Sequence, residues 1–212
     1  MVSSFTTFAI GALLFLVSFT NASPLLHRRQ DEECIRSKLE ITDILTPFAI
    51  EIQVPSRPDL HLRRMNMHKA GGGDNHLYLS PNANPSHNNT LVGGVIHNFE
   101  PTFSSSTSPN GVVIRAVING EYTARDNTTK LFMTQRGDPR AVFDVWHGCH
   151  SDTGVQQYEL VMREGPELKR DGGNICVRPA SGGRTEFRWS PKGNPLDNEG
   201  CTNVVLVPVW DD

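Results

Sequence analysis

Ile114-Arg115-Ala116-Val117-Ile118 and, 44 positions further on, Tyr158-Glu159-Leu160-Val161-Met162 are the stretches on which the fold reading turns. Each is a short apolar-rich run carrying one charged residue, the pattern of a half-buried strand. The match extends without a gap over residues 112–145 and 156–189. Ala124-Arg125 falls on Leu168-Lys169, Leu131–Met133 on Ile175–Val177, Arg140 on Arg184 and Phe143 on Phe187. A polar turn sits mid-copy in both, Asp126–Thr129 in one and Arg170–Gly173 in the other.

Working outward, the same kind of run recurs along the chain. Phe48–Val54, Leu60–Met65, His76–Leu79, Leu91–Ile96, Val142–Trp146, Thr185–Trp189 and Val204–Trp210 are separated by Gly, Pro, Asn and Asp. No stretch after residue 46 keeps a period of 3.6 over three turns. Glu33–Leu45 suits a helix or a strand equally. About a dozen short strands in one domain imply closure into a barrel or packing as a sandwich. Phe48–Phe99 also holds four such runs, though it aligns with the two copies only through gaps, and three units of four strands predict an all-β, single compact domain over residues 30–212, with a β-trefoil-like barrel favoured. Another β-barrel or a β-sandwich is the alternative. Val204–Trp210 would then be a thirteenth strand.

The first residues point to export. Phe8–Val17 is apolar throughout, ten residues long, where a membrane span needs about 20 and a signal core about 7–15. Thr20 and Ala22 fit the positions a signal peptidase reads, so residues 1–22 are expected to be a signal peptide. Arg28-Arg29 is the dibasic pair nearest the new terminus, which predicts a pro-peptide over residues 23–29. That segment resembles those of fungal secreted proteins trimmed by dibasic endoproteases. Through its leader, dibasic site and cysteine count the chain is similar to small secreted fungal proteins as a broad class, and no functional residue is carried over from it.

Losing Arg28 and Arg29 leaves 18 basic against 23 acidic residues. An acidic surface argues against nucleic acid, whose phosphates need a positive face, and against anionic membranes. The four cysteines, Cys34, Cys149, Cys176 and Cys201, read as two disulfides in an oxidising compartment. First and last strands are neighbours in closed β folds, so the pairing expected is Cys34–Cys201 with Cys149–Cys176. Asn88 and Asn127 each begin an Asn-x-Thr sequon and are expected to carry N-glycans outside the cell.

His147-Gly148-Cys149-His150, with Asp144 and Asp152, is the densest group of ligand types; His147 and His150 are the candidate metal ligands. Gly148 suggests a turn there. His61, His68, His76, His87 and His97 could converge from the first third of the domain. Arg136-Gly137-Asp138 is an adhesion-type tripeptide in an expected turn, and Ala70–Asp74 is a glycine-rich turn without a phosphate-loop ending. Glu121, Glu159 and Glu167 have no spacing that makes an acid–base pair. No nucleophile motif is present. Trp146, Trp189 and Trp210 could stack on sugar rings or pack. No cofactor is implied. The leading expectation is a secreted, non-catalytic protein that binds an extracellular glycan, cell-wall component or host protein. The alternatives are a secreted hydrolase, metal-assisted through the histidines, and a trefoil-type protease inhibitor using Arg136–Arg140 or Pro179–Arg184.

Overall fold

The computed structural model describes residues 34–79, 88–100, 111–195, 197–198 and 200–210. The expected signal peptide with Ala22, the expected pro-peptide with Arg28 and Arg29, and His87 lie outside the described residues. The described chain is all-β. Its strands are β1 (Ser37–Lys38), β2 (Ile44–Gln53), β3 (Met65–Gly71), β4 (Asp74–Leu79), β5 (Asn89–Val92), β6 (Val95–Glu100), β7 (Val112–Val117), β8 (Tyr122–Thr123), β9 (Thr128–Lys130), β10 (Phe132–Thr134), β11 (Phe143–Cys149), β12 (Gln156–Met162), β13 (Asn174–Pro179), β14 (Thr185–Ser190), β15 (Asp197–Asn198), β16 (Cys201–Asn203) and β17 (Val205–Val209). A single 3-10 turn, Ser181–Gly183, is the one helical element among the described residues. None of them forms a helix long and apolar enough to cross a membrane.

Alternation along the strands builds the core. Phe48, Ile50 and Ile52 of β2 are fully buried. They cluster with Phe143 and Val145 of β11, Leu160 and Met162 of β12, and Leu206 of β17. Each such side chain contributes roughly 1.5–3 kcal/mol by leaving water. Of the region Glu33–Leu45, the described residues 34–45 form no helix: they supply β1 and the start of β2. The expected run Leu60–Met65 is turn over Leu60–Leu62, Arg64 bridges to Glu51, and β3 begins at its last residue.

All seventeen strands join one continuous sheet. β2 pairs with β17 from Ala49↔Val209 to Gln53↔Val205, and with β5 at Ile44↔Leu91 and Phe48↔Asn89. β5 pairs with β6 through Leu91↔Ile96, and β11 with β12 from Phe143↔Met162 to Cys149↔Gln156. β12 meets β17 at Leu160↔Leu206 alone. β6 meets the start of β11 through the isolated bridge Val95↔Val142, one residue before that strand, supported by the Phe143 N–H donating to the Gly94 carbonyl at 2.7 Å. Gly94 is required there: its φ is +82°, and a Cβ would sit 2.5 Å from the Phe143 oxygen. The closed barrel expected from the sequence is thus corrected to a single sheet with two seams of one residue pair each. Full ladders do not form at those seams.

The two copies aligned at 44 residues occupy different surroundings. β7 pairs with β6 and β10, whereas β12 pairs with β11 and β17.

The cysteines are all paired, but not as expected. The bonds are Cys34–Cys149 and Cys176–Cys201, with Cα atoms 5.8 and 5.5 Å apart. First and last long strands are indeed neighbours, as β2 and β17. Cys34, however, precedes β1, which lies on β11 through Ser37↔His147 and Lys38↔Trp146. That register delivers Cys34 to Cys149. Cys201 opens β16, which pairs with β13 at Cys176↔Asn203 and so faces Cys176.

Candidate functional site

The seam at Leu160↔Leu206 creates a groove. β12 continues toward Gln156 alongside β11, and β17 continues toward Trp210 alongside β2, with no further ladder between them among the described residues. Pro208 has no N–H to give to a second neighbour, which suits a strand fully laddered on one side only. The space between has a volume of about 530 Å3. One wall carries His147, Gln156, Gln157 and Tyr158; the other carries Val207, Pro208, Val209 and Trp210.

Aromatic rings run from the core into this groove. Phe48, buried, meets Trp210 edge to face with centroids 6.1 Å apart. Trp210 meets Tyr158 at 6.1 Å with planes 80° apart. Tyr158 lies on His147 at 5.6 Å and 32°. Tyr158 and Trp210 remain 37% and 40% exposed, so the outer end of the series is accessible while its root is anchored.

The hairpin tip beside the groove is fixed by polar contacts. The carboxamides of Gln53 and Gln157 donate to each other at 2.9 and 3.0 Å, and the Ser151 N–H donates to Gln53 Oε1 at 3.3 Å. His61 Nδ1 accepts the Val54 N–H at 3.0 Å, which leaves Nε2–H to donate to Asp152 Oδ2 at 2.9 Å. That hydrogen bond is the leading reason the Asp152 carboxyl lies below its ordinary pKa. Behind the tip, Gly148 is not a turn but the penultimate residue of β11, opposite Gln157. The Glu159 side chain crosses it where a Cβ would stand, and Arg36 holds that carboxylate at 2.8 Å.

Other expected residues distribute as follows. His147 lines the groove. His150 sits on the hairpin tip, its Nδ1 accepting the Asp152 N–H at 3.2 Å. Among the described residues no three His, Cys, Asp or Glu side chains converge as a metal site. Two histidines from the first third do meet: His68 and His76 flank Tyr78 at 5.4 and 5.9 Å. Burial, then the Lys130 ammonium 3.4 Å away, holds His76 below its ordinary pKa. His97 stands apart, lowered by burial and then by Arg115 and Arg140. Of the tryptophans, Trp189 is core, donating to the Gly172 carbonyl at 2.8 Å, and Trp146 lies under the Arg36 guanidinium. Trp210 alone opens onto the groove. Arg136 donates to the Gly72 carbonyl, and Asp138 lies 3.7 Å from Arg140. Asn88 is exposed, and Asn127 is exposed on a left-handed turn (φ 51°) with Tyr122 donating to its Oδ1 at 3.2 Å.

Arg188 is a residue that strand alternation alone could not reveal. It is fully buried and donates to Glu186, Thr123 Oγ1, Thr128 Oγ1 and the carbonyls of Glu121 and Thr128 at 2.6–2.9 Å. Glu186 also takes Lys130 at 3.0 Å and Arg178 at 2.9 Å.

Neither the curated proteins nor the solved structures contain a match to this chain. The chain belongs to the family described as "Domain of unknown function (DUF7909)", whose sequence model matches residues 34–211.

Proposed function

We propose that the protein is exported, trimmed to residues 30–212, and acts outside the cell as a non-catalytic glycan-binding domain. The observation that carries this reading is the groove, where Trp210 and Tyr158 are half-exposed at the end of a series anchored on Phe48. Pyranose rings bury their C–H faces on such aromatics while flanking polar groups take the hydroxyls. Export is supported by the Phe8–Val17 apolar run, by two disulfides, and by a family match that begins at Cys34. The exposed turn at Asn127 is a suitable N-glycan acceptor, as is exposed Asn88.

A β-trefoil-like plan is the finer fold reading. Its support is the threefold pattern in which β2 and β5, β6 and β11, and β12 and β17 bracket β3–β4, β7–β10 and β13–β14 in turn.

Screening residues 30–212 on an array of glycans and cell-wall fragments tests the function. Binding to a defined set, lost in Trp210→Ala with an unchanged melting temperature, is the expected result. An array without a hit at high micromolar concentration overturns it.

A further inference from the structure

Resting on that glycan-binding reading, we infer that the groove takes one terminal, uncharged pyranose rather than a flat polysaccharide surface or an acidic sugar. The first argument is ring geometry. Trp210 and Tyr158 stand 80° apart with centroids at 6.1 Å, so they form a corner. A crystalline polysaccharide face needs coplanar aromatics; a corner receives one ring, its face on one aromatic and its edge against the other. Phe48 fixes Trp210 from behind, and His147 backs Tyr158, so the corner is held in place.

The second argument is the state of the polar groups. Gln157 is committed to Gln53. The side chains of Gln156, Tyr158, His147 and Trp210 make no hydrogen bond to another described residue, and His147 Nδ1 is buried without a partner. A carboxamide, a phenol, an imidazole and an indole N–H are therefore unspent around one corner. Together they offer both donors and acceptors, which is what hydroxyls require. The third argument is charge. No Lys, Arg, Asp or Glu is among the described groove residues, so an ionised sugar would lose its hydration without a counter-charge. A volume of about 530 Å3 falls within the range of about 300–1,000 Å3 usual for small-ligand sites.

The test is calorimetric titration of residues 30–212 with methyl glycosides of neutral hexoses and N-acetylhexosamines, and with uronic acids. Pull-down on insoluble polysaccharide runs in parallel. The expected result is saturable binding of at least one neutral methyl glycoside, competing with the array ligand. Tyr158→Ala and His147→Ala should weaken it at least tenfold, and His147→Asn, which keeps a polar atom near Nδ1, should restore part of the loss. Binding of insoluble polysaccharide without competition by any methyl glycoside overturns the inference while leaving glycan binding intact, as does preference for uronic acids. A neutral ligand whose affinity is unchanged in all three variants, each with wild-type melting temperature, also overturns it.

Discussion

Arg188 shows most directly what a single residue does here. In Thr185–Ser190 the sequence alternates, and both Glu186 and Arg188 look like the solvent face of a strand. The fold instead pairs β9 edge to edge with β14 through Arg188↔Lys130, and the Glu121–Thr128 segment that leads into β9 closes around the Arg188 guanidinium. A buried guanidinium is tolerated because each of its three nitrogens donates and Glu186 answers its charge. Removing one member of such a network leaves the rest desolvated and unpaired. Arg188→Ala is expected to cost about 3–5 kcal/mol in urea unfolding, while Arg188→Met, close in volume, costs less. A loss below about 1 kcal/mol for the alanine variant would mean the network contributes little. Trp210 is the opposite case. Its candidacy for stacking is legible from the sequence, but Gln156 and His147 are not legible as its neighbours, since only the seam at Leu160↔Leu206 brings them across from it.

At the scale of elements, the strongly apolar strands were readable and the polar ones were not. β7, β12 and β17 carry alternating apolar residues that a period-two reading finds. β3 runs Met65-Asn-Met-His-Lys-Ala-Gly71 and reaches the core only through Met65 and Met67 before turning polar and small, so its period-two signal is weak. The match between residues 112–145 and 156–189 reflects strand composition more than position. It lays β7, which is paired to β6 and β10, on β12, which is paired to β11 and β17. Two-residue β1 carries no detectable pattern, yet it decides the disulfides by leading Cys34 to Cys149. Non-reducing peptide mapping should recover Cys34–Cys149 and Cys176–Cys201; recovery of Cys34–Cys201 would contradict the sheet register described here. The two bonds span 115 and 25 residues. In the chain-entropy picture Cys34→Ser with Cys149→Ser is expected to cost of order 4–5 kcal/mol, against roughly 3 for the shorter loop. Equal melting temperatures for the two double variants would argue against that ranking.

For the molecule as a whole, the titratable groups set an acid limit. Burial pushes Glu186 up, but hydrogen bonds from Lys130 and Arg178 outweigh it and hold the carboxyl below its ordinary 4.5. Asp126 and Asp144 are likewise pushed up by burial and held below 3.8 by their hydrogen-bond and cationic partners. Depressed carboxylates stabilise the fold above their unfolded pKa, and that stabilisation is lost as pH falls through the folded one. His76 and His97 are depressed from 6.5 and have the same sign: the unfolded chain takes their protons first. Glu51, raised mainly by burial, opposes the trend. The melting temperature is therefore expected to decline modestly as pH drops below about 6.5 and steeply below about 4.5. A melting temperature that rises on acidification from pH 6 to pH 4 would contradict this ion network as a source of stability.

The groove as a glycan site is the central claim, and amide chemical-shift mapping tests it most directly. Isotope-labelled residues 30–212 would be titrated with the best array ligand. The account expects the largest shifts at Gln156–Tyr158, at His147 and at Val207, Val209 and Trp210, with the indole N–H of Trp210 among them. Shifts confined to the β3–β4 or β13–β14 hairpins, with the Trp210 indole unmoved, would contradict it.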